Sequence, residues 1–158
     1  WLDGAMEWGP RALGARCILA SPHSPFVLEN LNRFLKHRES WRGYSLSGEA
    51  DVIAEHFDGP AHARFMECDF RPNDPEAFRH VLPRPSAVVR IQTVDDTAPP
   101  RFRQLLTAFG SASGLPILVN TSFNGFHQPI ICSPPDALRV FYGTGLDLLV
   151  LGQFVLRK

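Results

Sequence analysis

The sequence contains no run of roughly 20 apolar residues, the length a bilayer-spanning helix needs, and no basic segment leads into an apolar one at its start. Neither a membrane span nor a secretory signal is expected. It lacks a surplus of charge: 16 Lys plus Arg balance 16 Asp plus Glu, with no long block of either sign. That removes the broad field of a nucleic-acid or membrane-surface binder and leaves room only for a local basic site. Cysteine is scarce. Cys17, Cys68 and Cys132 are far apart and include no CxxC pair, which disfavours a disulfide framework or a thiolate zinc site; buried thiols in a reducing, cytoplasmic setting are expected instead. The six histidines show no HxxxH or HExxH spacing, so no metal ligands are assigned. GxSxG, GxxxxGK[ST] and GxGxxG are absent, and with them the usual signals of acyl-serine, P-loop and Rossmann chemistry.

What is present is dense punctuation, 14 Pro and 12 Gly spread along the chain without repeats or low-complexity linkers. Residues 1–158 are read as one domain. The first residue, Trp1, is not methionine, which suggests a domain excerpted from something longer or a processed start. Residues 17–20 read as a short buried strand. Ser24-Pro25 reads as an N-cap with Pro at the first helical position, starting a helix whose stripe is Val27, Leu28, Leu31, Phe34 and Leu35. Residues 58–85 read as loop with short strands. Residues 87–94 read as a strand that places Arg90 and Gln92 on one polar face. A helix over 100–112 ends at Gly114, and a strand over 115–119 follows. Ser133-Pro134-Pro135-Asp136 forms a capping box opening a helix to Gly143, and residues 148–156 close the chain as an apolar strand. Interleaved strands and helices give an α/β (α+β) class with a covered sheet.

Three phrases carry polar chemistry. Lys36, Arg38 and Arg42 place three cations within seven positions; if they converge they form an anion site, and otherwise they are a solvated helix end. The stretch NTSFNG runs straight out of an apolar strand: Asn120, Ser122 and Asn124 suit phosphate oxygens and a ribose, or else cap the strand as a polar turn. Met6 to Arg16 sets two glycines and a proline around Arg11, a tight turn that either aims one guanidinium at an anion or pins backbone carbonyls.

Taken together, MEWGPRALGAR, the Asn32 to Arg42 segment, VRIQTV, LPILVNTSFNG, QPIICSPPDALRVF and TGLDLLVLG resemble, in order and over nearly the whole chain, the C-terminal domain of O-carbamoyltransferases of the antibiotic and nodulation-factor type. That domain is similar to the YrdC/Sua5 fold, a twisted mixed sheet flanked by helices, marked by K-x-R and a distant S-x-N. Lys36-x-Arg38 and Ser122-x-Asn124 match it. The chain departs from the usual pattern at Gly4-Ala5-Met6-Glu7, where GRME is common, and after Arg42, where Gly43 to Ser47 replace PFAPS.

The resemblance implies formation of carbamoyl adenylate from carbamoyl phosphate and ATP with Mg2+. Lys36 and Arg42 would be catalytic, with Arg38 beside them on the anions and Arg90 and Arg11 assisting; Ser122, Asn124 and Asn120 would hold the nucleotide. It implies a partner, a Kae1-like N-terminal domain or subunit that holds iron and passes the carbamoyl group to an acceptor hydroxyl. A homodimer is compatible with this reading, and a nucleic-acid or membrane partner is not expected. The alternative is a non-catalytic nucleotide-binding or interaction module of the same fold.

Overall fold

The structure, a computed structural model, describes residues 1–84 and 87–158. Six strands form a mixed sheet in the order β1-β6-β2-β5-β4-β3, with β1 at Cys17–Ala20, β2 at Ser45–Glu49, β3 at Phe57–Asp58, β4 at Asp69–Pro72, β5 at Val89–Val94 and β6 at Ile117–Ser122. Only β2 and β5 pair in parallel; their neighbours run antiparallel. The helices are α1 (Val27–Glu29, continued as a π-helical segment over Asn30–Leu35), α2 (Ala50–His56), α3 (Pro100–Ser113) and α4 (Pro134–Gly143). This is the expected class, a mixed sheet flanked by helices.

Side-chain alternation divides the sheet into two unlike faces. On one, Ile18, Leu46, Ile91 and Val119 join the main core with Val27, Leu31 and Leu35 of the first helical segment, Ile53 of α2, and Ala137, Val140 and Phe141 of α4. On the other, α3 seats Phe102 and Leu106 against Val94 and Leu118. Beyond the reach of α3 that second face turns polar. The register sets Ser45 opposite Asn120 and Ser47 opposite Gln92, so Ser45, Ser47, Arg90, Gln92, Asn120 and Ser122 share it.

Several boundaries differ from the sequence reading. The first helix begins at Val27, not Pro25: the Val27 N–H bonds to Ser24 O at 3.2 Å, so Ser24 and Pro25 make a lead-in turn. Leu28 is half-buried and Phe34 exposed, which narrows the stripe to Val27, Leu31 and Leu35. Strand β5 starts at Val89, and of the residues ahead of it Pro85 and Ser86 lie outside the described ones. Strand β6 runs on through Ser122, because Asn120 and Thr121 still pair with β1. The closing strand is a hairpin, β7 (Leu148–Leu151) and β8 (Phe154–Arg157), turned at Gly152 with φ 55°. β2 and α2 had no counterpart in the sequence reading. Cys17 is buried as expected, but Cys68 is half-buried and Cys132 exposed.

Both helix signals placed at the other end of the chain hold. Gly114 caps α3 in the left-handed conformation, φ 82°, its N–H on Gly110 O at 2.8 Å. At α4 the Ser133 N–H and hydroxyl both donate to the Asp136 carboxylate, at 3.1 and 2.7 Å. The hairpin is held to the start of the chain. The Leu2 N–H bonds to Val150 O at 2.9 Å and the Gly152 N–H to Leu2 O at 2.8 Å, while Arg101 reaches Asp3 Oδ1 (2.6 Å) and Gly152 O (2.7 Å). Among the described residues no helix is long and apolar enough to cross a membrane.

Candidate active site

The polar end of the sheet is the floor of a cavity of about 130 Å³ whose lining includes Arg11, Arg38, Tyr44, Arg90, Asn120 and Ser122. Among the described residues, three guanidinium groups and no carboxylate line it. Among the described residues, Arg11 and Arg90 have no hydrogen-bond or ion-pair partner, and Arg11 is pushed down from its ordinary pKa by burial and then by the charge of Arg90. Two unpaired cations held side by side are costly, and a bound anion offsets that cost. A cavity of this size suits a phosphate group rather than a whole nucleotide. An adjoining cavity of about 180 Å³ shares Gly43, Tyr44, Ser45 and Arg90 with it and adds Asp69. Larger clefts lie elsewhere; one of about 680 Å³, lined partly by Asn32, His37, Arg79 and His80, meets this site only through Arg38.

Arg38 is aimed by its surroundings. Its guanidinium lies 4.3 Å from the centre of the Tyr44 ring, its Nε donates to Asn32 Oδ1 at 2.8 Å, and Tyr44 donates its hydroxyl to the same oxygen at 2.8 Å. Burial pushes the Tyr44 phenol up to about 12, so it stays a neutral donor. Asn32 also donates to Ser40 O (3.3 Å) and Arg42 O (2.8 Å), which fixes the loop between the first helical segment and β2. The π-helical winding, with the Lys36 N–H on Leu31 O at 2.9 Å, is what turns Asn32 inward at the helix end.

Lys36 and Arg38 diverge because His37 between them is left-handed, φ 45°. Lys36 is buried, so the alternative of a solvated helix end does not hold for it. Its ammonium donates to Ser122 O (2.7 Å), Asn124 O (3.1 Å) and Asn124 Oδ1 (2.5 Å), using all three donors. Burial, then the charge of Arg38, pushes its pKa down to about 7. Ser122 donates to Asn124 Oδ1 at 3.0 Å, and Asn124 Nδ2 to Gln128 O at 2.7 Å, so the two residues do face each other across a local turn. K-x-R and S-x-N are therefore joined, with Lys36 as the brace. Arg42 stands apart: it is exposed, ion-paired with Glu39 at 2.8 Å, and does not line the cavity.

Asn120 is 1% exposed and belongs to a buried polar ladder. Its Nδ2 donates to Ala12 O (3.1 Å) and Ser47 Oγ (2.9 Å), Ser47 donates to Gln92 Oε1 (2.8 Å), and Gln92 Nε2 donates to Leu13 O (2.7 Å). Asn120 Oδ1 is buried with no hydrogen-bond partner among the described residues. Of the two arginines in the N-terminal phrase, Arg11 faces the cavity, whereas Arg16 pins carbonyls, donating to Asp3, Gly4, Ala15 and Cys132 at 3.0 to 3.4 Å. Sequence reasoning missed Asn32, Tyr44, Ser45 and Ser47. Ser45 and Ser47, alternating with Leu46, were the available signal for the last two. Among the described residues no group of three His, Cys, Asp or Glu could hold a metal.

The whole chain, residues 1–158, matches the family model described as Carbamoyltransferase C-terminus. It is 37% identical over 166 residues to nodulation protein NolO of Bradyrhizobium diazoefficiens, covering 100% of this chain and 30% of that protein. It is 34% identical over 162 residues to a 3'-hydroxymethylcephem-O-carbamoyltransferase of Streptomyces clavuligerus (100% and 30%), and 30% identical over 153 residues to the protein of that name in Amycolatopsis lactamdurans (97% and 29%). The chain thus spans less than a third of the length of these relatives.

Proposed function

The chain belongs to the carbamoyltransferase C-terminus family, and from that premise we propose that it forms carbamoyl adenylate from carbamoyl phosphate and ATP, for a partner domain to transfer to an acceptor hydroxyl. The observation that carries the proposal is the carboxylate-free cavity walled by Arg11, Arg38 and Arg90 at the S-x-N end of the sheet. Atom balance defines the task. Carbamoyl phosphate gives up inorganic phosphate to water, the carbamate oxygen then attacks the α-phosphorus of ATP, and pyrophosphate leaves. Charge moves between phosphoryl oxygens throughout, so fixed cations and amides suffice and no protein nucleophile is needed.

In this reading the three arginines hold the phosphate of carbamoyl phosphate. Lys36 acts from beneath, as a buried charge that shapes the Ser122–Asn124 turn on which the nucleotide phosphates rest. Arg42 would join only by leaving Glu39, and an exposed pair of that kind costs no more than about 1 kcal/mol to break. Mg2+ would arrive on the ATP phosphates and shield their charge; Asp69, in the adjoining cavity, is the carboxylate the site offers it. The iron and the transfer step belong to the Kae1-like partner domain that the family resemblance implies.

The test is ATP/pyrophosphate exchange by the chain with Mg2+, with and without carbamoyl phosphate. Exchange that depends on carbamoyl phosphate and falls by roughly 100-fold in Arg90→Ala is the expected result, the cost of removing one preorganised donor. A folded, ATP-binding sample with no exchange would instead support the nucleotide-binding module.

A further inference from the structure

We propose that Glu7 is the positioning residue that sets the Arg11 guanidinium in the three-arginine cavity, a role that rests on the anion-binding reading above. One oxygen of Glu7, Oε1, accepts three backbone N–H bonds, from Leu13 (2.7 Å), Ala15 (2.5 Å) and Arg16 (3.2 Å). Residues 7 to 16 are thereby drawn into a closed loop whose stem is gathered on a single carboxylate. Charge-assisted bonds to backbone N–H groups are among the stronger local restraints available to a chain.

The carbonyls of the same loop are held from the other side. Ala12 O is bound by Asn120, Leu13 O by Gln92, and Gly14 O by the Trp1 indole at 2.8 Å. Residues 12 to 16 are fixed along both edges, while Met6 and Trp8 stay exposed, Trp8 fully so. Arg11 sits where the fixed part begins, and its side chain has no partner of its own among the described residues. Its direction therefore follows from its backbone, and its backbone from Glu7 and the polar ladder.

Glu7 does not line the cavity, so whatever it contributes passes through Arg11. Its second oxygen, Oε2, is buried without a partner, which costs stability. Glutamine would offer the same single acceptor without a bare carboxylate oxygen. The carboxylate is the group that grips three N–H donors hardest, so the arrangement serves rigidity of the loop over stability of the fold.

The test is the affinity of the chain for inorganic phosphate by titration calorimetry, in wild type, Glu7→Ala, Glu7→Gln, Arg11→Ala and the double variant Glu7→Ala/Arg11→Ala, each checked for folding by circular dichroism. Arg11→Ala is expected to weaken binding about tenfold, one lost charge-assisted contact. Glu7→Ala should weaken it to a similar extent, Glu7→Gln should recover part of the loss, and the double variant should be no weaker than Arg11→Ala alone. Binding by Glu7→Ala at wild-type strength, or an equal further loss on the Arg11→Ala background, would overturn the proposal. If Glu7→Ala does not fold, Glu7→Gln alone and with Arg11→Ala decides by the same criterion. Wild type that fails to bind phosphate would sink the anion-site reading and this proposal with it. Binding untouched by Arg11→Ala would leave the site standing on Arg38 and Arg90 and overturn only the role of Glu7.

Discussion

Lys36 concentrates two opposed demands in one side chain. Burial favours its neutral form, with a pKa pushed down to about 7, yet only the ammonium can donate to all three oxygens around it. In the unfolded chain the group returns to its ordinary value of 10.5. Between these values the unfolded state keeps a proton that the folded state has shed, so this group makes stability rise with pH above about 7. Below that pH it is charged in both states and adds no slope. Urea unfolding at about pH 7 and about pH 9 should therefore show wild type gaining, relative to Lys36→Met, up to about 1.4 kcal/mol per pH unit. The adenylating activity proposed above should move the other way over the same window, because the neutral amine releases one acceptor of the Ser122–Asn124 turn. Exchange rates and unfolding curves measured on the same samples would separate the two signs.

At the scale of elements, the loop that carries Arg11 docks against α3 through a glycine. Gly14 has φ 125°, and a Cβ there would lie 2.8 Å from Phe102 Cδ1. Gly14→Ala combines a strained backbone with overpacking and should cost about 1–3 kcal/mol in urea unfolding. Asn120→Ala acts on the ladder instead. It strips the side-chain partner from Ala12 O, while Ser47 Oγ keeps its bond to Gln92, and the buried carbonyl left unpaired costs about 1–3 kcal/mol, read from the same unfolding curves.

These elements also account for what could be read from the sequence. α3 and α4 announce themselves by local chemistry: an apolar stripe with a glycine stop, and a capping box. β2 has one large apolar residue, Leu46, among Ser, Gly and Glu, and it is a strand because β5 and β6 flank it. Ser47 is buried there by its bond to Gln92, which reverses the usual reading of alternation. α2 is seven residues long with one buried side chain, Ile53, too little for a periodic signal. At the site, Lys36, Arg38, Ser122 and Asn124 were legible as a set. Their division of labour was not, because it turns on the left-handed backbone at His37, a conformation histidine adopts only occasionally. Arg42 shares the composition of the set but pairs with Glu39 outside it.

Across the whole molecule, the cavity is assembled from pieces distant in sequence: the Arg11 loop, the turn after the first helical segment, and strands β2, β5 and β6. The loop itself is anchored at both ends near the C-terminal hairpin. Leu2 bridges Arg16 on one side and Leu151 on the other, and Arg101 ties Asp3 to Gly152. Removing residues 148–158 should therefore abolish phosphate binding even though none of them lines the cavity; calorimetry on the truncated chain would check this.

That clasp also sets an order of events in time. Contacts between Leu2 and residues 150–152 join segments far apart in sequence, and closing so long a loop is entropically costly and slow. The central strands and α3 can gather earlier and offer residues 12–14 their partners Asn120, Gln92 and Phe102, but the stem of the Arg11 loop at Leu2 closes only when residues 150–152 are in place. On a ribosome, the end of this domain that carries the Arg11 loop completes its shape only after residues 150–152 have emerged.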